Sequence, residues 1–265
     1  MNYQELLSVA IEAAIKAGEK IMTFYNADYP IEIKSDESPV TIADKSAEEI
    51  IISYLKRTLL PIISEEHENT SYEQRKEWNF CWVVDPLDGT KEFIHKNGEF
   101  TVNIALVENQ MPVIGVIYSP AGNDLFFASK DMGSFKTKVR SGNIDAPSLQ
   151  KLPLKNSSSP VVIAVSRSHS NEKTEAFVNA FREKYPDLKT LASGSSMKMC
   201  RVAEGEAHLY PRFGRTMEWD TAAGHAILSF ANASLLNIGN MQELKYNKED
   251  LSNPDFIAMS NNLKL

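Results

Sequence analysis

Two aspartates, Asp85 and Asp88, close an apolar run in WVVDPLDGT (82–90), separated by Pro-Leu and followed by Gly-Thr. The spacing predicts that their carboxylates lie close together on a turn. Two carboxylates a few ångströms apart repel unless one takes a proton or a cation sits between them, and an all-oxygen cluster suits a hard ion such as Mg2+. Asp, Pro and Gly also fill turns for backbone reasons, so the pair by itself leaves both readings open. Ser64-Glu65-Glu66 ends the preceding apolar run and can bring another carboxylate to the same place, although Glu pairs are commonly solvated surface. Trp219-Asp220-Thr221 opens an apolar helical stretch, where Asp220 either caps helix amides or reaches a metal or ligand.

Other chemistries fail against the same string. His67-Glu68 begins the zinc-protease pattern HExxH, but position 71 is Ser. No GxGxxG, GxxxxGK[ST] or GxSxG is present, which weakens dinucleotide, P-loop and serine-hydrolase readings. The phosphoaspartate pattern DxDGT is a near miss, because here the acids are three apart rather than two, so covalent Asp catalysis is a minor alternative. With 28 Lys and Arg against 35 Asp and Glu, the net charge of −7 has the wrong sign for a general nucleic-acid binder. Cys81 and Cys200 stand too far apart for a metal-ligand pattern and are too few for a disulfide framework, so a reducing cytoplasm is the simplest compartment.

The elements that must position these acids can be read from periodicity. Leu7, Ile11, Ala14, Gly18, Ile21 and Tyr25 recur at helical spacing, predicting an amphipathic helix over 4–25, and a second helix is expected over 42–56. Thr41 followed by Asp44 resembles a helix start signal, unless Asp44 is itself chemical. The apolar runs 61–64 and 80–85 read as buried strands that deliver acids at their carboxyl ends. Between 101 and 139, TVNIALVE, PVIGVIY and DLFFAS predict consecutive strands of a largely antiparallel sheet. LPLKNSSSP (152–160) breaks the pattern and marks a boundary between an α+β half, 1–155, and an α/β half, 156–265. Beyond it strands and helices alternate: VVIAVS, a helix over 171–184, LKTL, a helix over 195–204, AHLYPRF and a helix over 219–230. The charge-free stretch 221–242 contains His225, three Asn and two Gly, so it reads as a helix and a core strand rather than a transmembrane segment. The first twenty residues lack the features of a secretion signal. N-x-S/T triplets at Asn69, Asn156 and Asn232 are chance matches in a cytoplasmic protein.

Asp44, Ser64-Glu65-Glu66, WVVDPLDGTKEF (82–93) and WDTAAGHAIL (219–228) together resemble the lithium-sensitive, magnesium-dependent inositol monophosphatase superfamily. Within it, DPLDGTKEF and LYPRF followed by EWDTAAGHA are most similar to the 3′(2′),5′-bisphosphate nucleotidases of the bacterial CysQ type. The resemblance implies a layered αβαβα sandwich in two halves with a phosphatase site between them. It implies that Glu65, Asp85, the Leu87 carbonyl, Asp88 and Asp220 hold two to three Mg2+. It gives Asp44, Glu65 and Thr90 the task of positioning or deprotonating an attacking water, although Thr90 also has a plain reading as an N-cap. The Gly89 and Thr90 amides would hold phosphate oxygens, and Ser195, Lys198 and Arg212 the nucleotide's remaining phosphate. Surface charge is the plain reading of Lys198 and Arg212. His225 and SRSH (166–169) either line the nucleoside pocket or are a buried His and an ordinary loop.

The implied reaction is hydrolysis of the 3′-phosphate of adenosine 3′,5′-bisphosphate to AMP and phosphate in sulfur metabolism, with 3′-phosphoadenosine 5′-phosphosulfate a second candidate substrate. An inositol or sugar-phosphate monophosphatase, or a catalytically silent nucleotide or metal sensor, remains open on the same residues. So do oligomeric state and peripheral association with the inner membrane.

Overall fold

The computed structural model describes residues 1–25, 31–33, 39–67, 70–155, 160–167 and 171–263, with only the backbone described at 31–33 and 39–41. The N-terminal part contains α1 (Tyr3–Tyr25), β1 (Ile31–Ile33), β2 (Pro39–Thr41), α2 (Ile42–Leu55), β3 (Ile62–Ser64), α3 (Tyr72–Arg75), β4 (Phe80–Asp88) and α4 (Thr90–Ile94). Strands β5 (Thr101–Glu108), β6 (Met111–Ser119), β7 (Asp124–Ser129), β8 (Gly133–Arg140), β9 (Asn143–Ile144) and β10 (Gln150–Lys151) follow. The rest comprises β11 (Val162–Ser166), α5 (Glu172–Lys184), β12 (Lys189–Ser193), α6 (Met197–Glu204), β13 (Leu209–Arg212), α7 (Glu218–Ser229), β14 (Ala233–Asn237) and β15 (Phe256–Ser260).

These elements stack as α1 and α2, a large sheet, α6 and α7, a smaller sheet, and α5, the expected αβαβα order. The large sheet runs β10-β8-β7-β6-β5-β4-β3 with β9 beside β8, and β1 pairs with β2 separately. Neighbours from β4 to β8 are antiparallel, whereas β3 and β4 are parallel. The smaller sheet, β12-β11-β13-β15-β14, is parallel around β11 and antiparallel at β15, so the strand–helix alternation ends in a mixed sheet. A strand at 256–260 follows no helix, which is why that alternation did not foretell it.

Strands β4 and β5 are apolar throughout because both faces of their sheet are covered. Trp82 and Val84 of β4, with Ile104 and Leu106 of β5, face α1 and α2. The alternate residues Cys81, Val83, Ala105 and Val107 join the core around α6 and α7. Each large side chain buried this way stabilises the fold by about 1.5–3 kcal/mol. Gly115 of β6 lets α7 lie close: a Cβ there would stand 2.3 Å from the Ala223 carbonyl oxygen. Both cysteines are buried free thiols, raised in pKa by desolvation. No described helix is long and apolar enough to cross a membrane.

Some expectations fall outside the described residues: most of the boundary at 156–159, Asn69, Asn156, Glu68, the side chain of Thr41, and Ser168-His169 of SRSH.

Candidate functional site

The expected turn at Asp85–Asp88 is instead the end of β4, and its irregularity solves a geometric problem. Residues three apart in a regular strand face opposite sides of the sheet. Asp85 pairs with Asn103 and Asp88 with Thr101, so three steps along β4 match two along β5. This bulge inserts one residue and returns Asp88 to the face of Asp85. The parallel register of Ser64 with Val84, continued by the bond from the Glu65 N–H to the Val84 carbonyl at 3.2 Å, then sets Glu65 beside Asp85. Asp220 arrives from the first turn of α7.

Carboxylate oxygens of Asp85, Asp88 and Asp220 lie within 4.8 Å of one another. Asp85 is buried; its Oδ1 accepts the Leu87 N–H at 3.0 Å, while its Oδ2 is buried with no hydrogen-bond partner among the described residues. Burial, then the charges of Glu65, Asp88, Asp220 and Asp44, pushes the Asp85 carboxyl well above the carboxylate range. Burial and Asp88 push Asp220 up to about 8. An orphaned carboxylate oxygen among uncompensated like charges is costly, and a cation removes both penalties. The cluster can therefore hold a metal ion, and its all-oxygen donors fit a hard one.

Asp220 closes the helix start and also belongs to the acidic cluster. Its Oδ2 accepts the Met217 N–H at 2.7 Å, closing the helix start, while its carboxylate remains part of the acidic cluster. Asp88 Oδ2 accepts the Ser196 hydroxyl at 2.7 Å, and Ser196 Oγ accepts Asn103 Nδ2 at 2.9 Å. Neither Ser196 nor Asn103 was singled out from sequence. Ser196 adjoins Ser195 in GSSMK, which is the only sequence signal for it.

Thr90 is not an N-cap: Gly89 holds that position with φ 89°, a left-handed conformation suited to glycine, and Thr90 is the first residue of α4. The Thr90 hydroxyl instead lies 3.1 Å from Asp44 Oδ1 and 3.3 Å from the Leu87 carbonyl, and can donate to either. Asp44 is buried in the first turn of α2, which joins it to this chemistry from a distant element.

Glu65, Asp88, Gly89, Thr90, Ser195, Lys198, Arg212 and Asp220 line a single cleft, with Asp44, Asp85 and Leu87 buried beneath it. Lys198 is not solvated surface. It is buried, donates to the Ser195 carbonyl at 2.6 Å and lies over the Tyr210 ring, and burial lowers its pKa to about 8 despite the opposing charge of Asp88. Arg212 Nε is buried without a hydrogen-bond partner among the described residues. Ser195 Oγ lies 2.7 Å from Thr101 Oγ1. Tyr210, Arg215 and Thr216 also line the cleft and were not expected. His225 does not line it: it is fully buried, with Nδ1 3.1 Å from the Tyr246 hydroxyl, and desolvation lowers its pKa to about 3. The plain reading of His225 holds: the ring is enclosed away from the cleft and bonded through Nδ1, while its Nε2 is buried with no hydrogen-bond partner among the described residues.

The inositol monophosphatase family model matches residues 2–264. The chain is 41% identical over 233 residues to the 3′(2′),5′-bisphosphate nucleotidase CysQ of Shigella flexneri, covering 86% of this chain and 89% of that one. It is 32% identical over 262 residues to the Haemophilus influenzae protein of the same name, covering 97% and 93%. The crystal structure of CysQ from Bacteroides thetaiotaomicron superposes with a TM-score of 0.90 at 44% identity, over 98% of both chains. An inositol monophosphatase from Thermotoga maritima shares the fold, with a TM-score of 0.75 at 21% identity over 97% of this chain and 92% of that one. With its acids gathered on one cleft and its whole length matched, the chain belongs to the inositol monophosphatase family.

Proposed function

We propose that this protein hydrolyses the 3′-phosphate of adenosine 3′,5′-bisphosphate, giving AMP and phosphate. The observation that carries this reading is the polarity of the cleft. Carboxylates Glu65, Asp88 and Asp220 and cations Lys198 and Arg212 line the same depression. A ligand with two phosphates matches both sets, one through a bridging cation and one through direct ion pairs. An inositol monophosphate leaves the buried Lys198, and the Arg212 Nε that has no partner among the described residues, without an anion. The CysQ relatives are named as 3′(2′),5′-bisphosphate nucleotidases, the same substrate class.

Glu65, Asp85, the Leu87 carbonyl, Asp88 and Asp220 would hold two to three Mg2+. When bound, Mg2+ supplies charge neutralisation for the transferred phosphate and lowers the pKa of water. Thr90, held by Asp44, orients a water in line with the phosphorus and passes its proton toward Asp44, assisted by Glu65. The water oxygen forms the new P–O bond, the bond to the ribose 3′ oxygen breaks, and that oxygen leaves as a hydroxyl after taking a proton. The amides of Gly89 and Thr90 donate to phosphate oxygens. Ser195, Lys198 and Arg212 retain the 5′-phosphate of the product. Residues 1–155 supply most of the acids and 156–265 complete the site. The same pocket admits 3′-phosphoadenosine 5′-phosphosulfate, and the work belongs in the cytoplasm.

Phosphate release at saturating Mg2+ tests this, using adenosine 3′,5′-bisphosphate, AMP, inositol 1-phosphate and fructose 1,6-bisphosphate, each with and without Li+. Preference for the bisphosphate nucleotide with Li+ inhibition is the expected outcome. Preference for inositol phosphate would keep the engine and overturn the substrate, and no release from any substrate would favour a sensor.

A further inference from the structure

The helix that carries Asp220 begins on a carboxylate with no part in the chemistry above. Glu218, the first residue of α7, is fully buried. Its Oε2 accepts the Asn247 N–H at 2.6 Å, and its Oε1 accepts the Lys248 N–H at 3.0 Å together with the Lys248 ammonium. Asn247 is locked in turn to the buried Arg75. The Arg75 guanidinium donates to Asn247 Oδ1 at 3.0 Å, and Asn247 Nδ2 donates to the Arg75 carbonyl at 2.7 Å. Arg75 also donates to the carbonyls of Lys248 and, at 2.8 Å, Glu249. The Glu218 N–H bonds the Leu251 carbonyl at 2.9 Å, and Asn253 Nδ2 donates to the Met217 carbonyl at 2.6 Å. Residues 247–253 thus grip the start of α7 through both its side chain and its backbone.

Such a grip is needed because the usual device is missing. Met217, at the N-cap, offers no side-chain oxygen to the helix amides. Asp220 closes the helix start itself, so any movement of that turn moves a carboxylate of the acidic cluster. A fully buried carboxylate is tolerable only when its lone pairs are satisfied, and three donors on Glu218 meet that condition.

We propose that Glu218 is a positioning residue, holding the first turn of α7 at the rotation in which Asp220 meets Asp85 and Asp88. The inference rests on the metal-dependent reading of that cluster. In Glu218→Gln an NH2 group replaces one oxygen and must face either the Asn247 N–H or the Lys248 donors, setting donor against donor. The turn then shifts by a fraction of an ångström, which matters for oxygens that must meet around Mg2+ at about 2.0–2.1 Å.

Calorimetric titration of Mg2+ into the substrate-free protein tests this without turnover, with thermal melting alongside. Glu218→Gln is expected to weaken Mg2+ binding about tenfold, the lower end of the effect of losing a group behind a metal ligand. Lys248→Met keeps both backbone bonds and is expected to weaken it about threefold, the scale of one partly exposed ion pair. KM for the bisphosphate at saturating Mg2+ is expected to stay within about twofold of wild type, because the Glu218 carboxylate bonds Asn247 and Lys248 rather than Lys198 or Arg212. A lowered melting temperature with unchanged Mg2+ affinity in both variants overturns the proposal in favour of a purely structural role. Should Glu218→Gln not fold, unchanged affinity in Lys248→Met overturns it alone. Wild-type protein that takes up no Mg2+ refutes the metal reading itself, and this inference with it.

Discussion

Lys198 converts burial into a pH dependence that the 5′-phosphate of the proposed substrate should reveal. Its ammonium is desolvated, and its pKa falls from 10.5 to about 8, a difference worth about 3 kcal/mol. The sign follows from burial disfavouring the charged form: in the substrate-free protein Lys198 is cationic below about pH 8 and neutral above it. A phosphate bound beside it favours the cation and restores the lost proton affinity. Binding of that phosphate therefore takes up a proton above pH 8, and kcat/KM for the bisphosphate should fall up to about tenfold per pH unit there. The ceiling is the value of one charge-assisted hydrogen bond, about 1.5–3 kcal/mol, or roughly 10- to 100-fold. The assay is kcat/KM from pH 6.5 to 10 for wild type and Lys198→Met, on adenosine 3′,5′-bisphosphate and adenosine 3′-monophosphate. The monophosphate shares every titration of the acidic cluster, so the ratio of the two substrates isolates Lys198. Wild type should lose its preference for the bisphosphate as pH rises, while Lys198→Met shows a low, flat ratio. Parallel ratios in the two enzymes would refute the assignment.

Asp88→Asn should lower kcat/KM by about a thousandfold or more, the scale of several kcal/mol of metal-assisted charge stabilisation, with an unchanged far-UV circular dichroism spectrum. Near-wild-type turnover would contradict the site. Thr90→Val removes the hydroxyl facing Asp44 while preserving shape; kcat should fall about 10²- to 10⁴-fold with little change in KM, as for loss of a positioned proton acceptor. Gly115→Ala places a methyl against the Ala223 carbonyl and should destabilise the protein by about 1–3 kcal/mol, read as a lower urea midpoint at unchanged slope.

The helices and strands were largely legible because each obeys its own period. The stripe through Leu7, Ile11 and Ile21 requires no knowledge of the partner it buries, and α1 spans Tyr3–Tyr25 as that stripe predicts. Strand β4 was read as ending at Asp85, but it continues to Asp88. Its bulge is defined by the register of β5, and a register is a relation between strands that neither strand encodes alone. The late strand β15 lacked the helix that would have announced it, and its antiparallel place between β13 and β14 is decided by the sheet.

The residue types in DPLDGT, SEE and WDTAA left turn, surface, cap and cation readings open one by one, and only their joint resemblance to the inositol monophosphatase superfamily implied a phosphatase constellation. Their meeting was decided only by tertiary structure. The bulge turns Asp88 onto the face of Asp85, α2 delivers Asp44 to Thr90, and α7 carries Asp220 in from the far side of the chain. Burial likewise separated alternatives that sequence left level. Lys198 and His225 both stand on helices, and the fold enclosed one at a cleft wall and the other in the core. Desolvation depends on every neighbour within several ångströms, most of them distant in sequence, so no local pattern could have told a lysine at a cleft wall from a histidine that only packs.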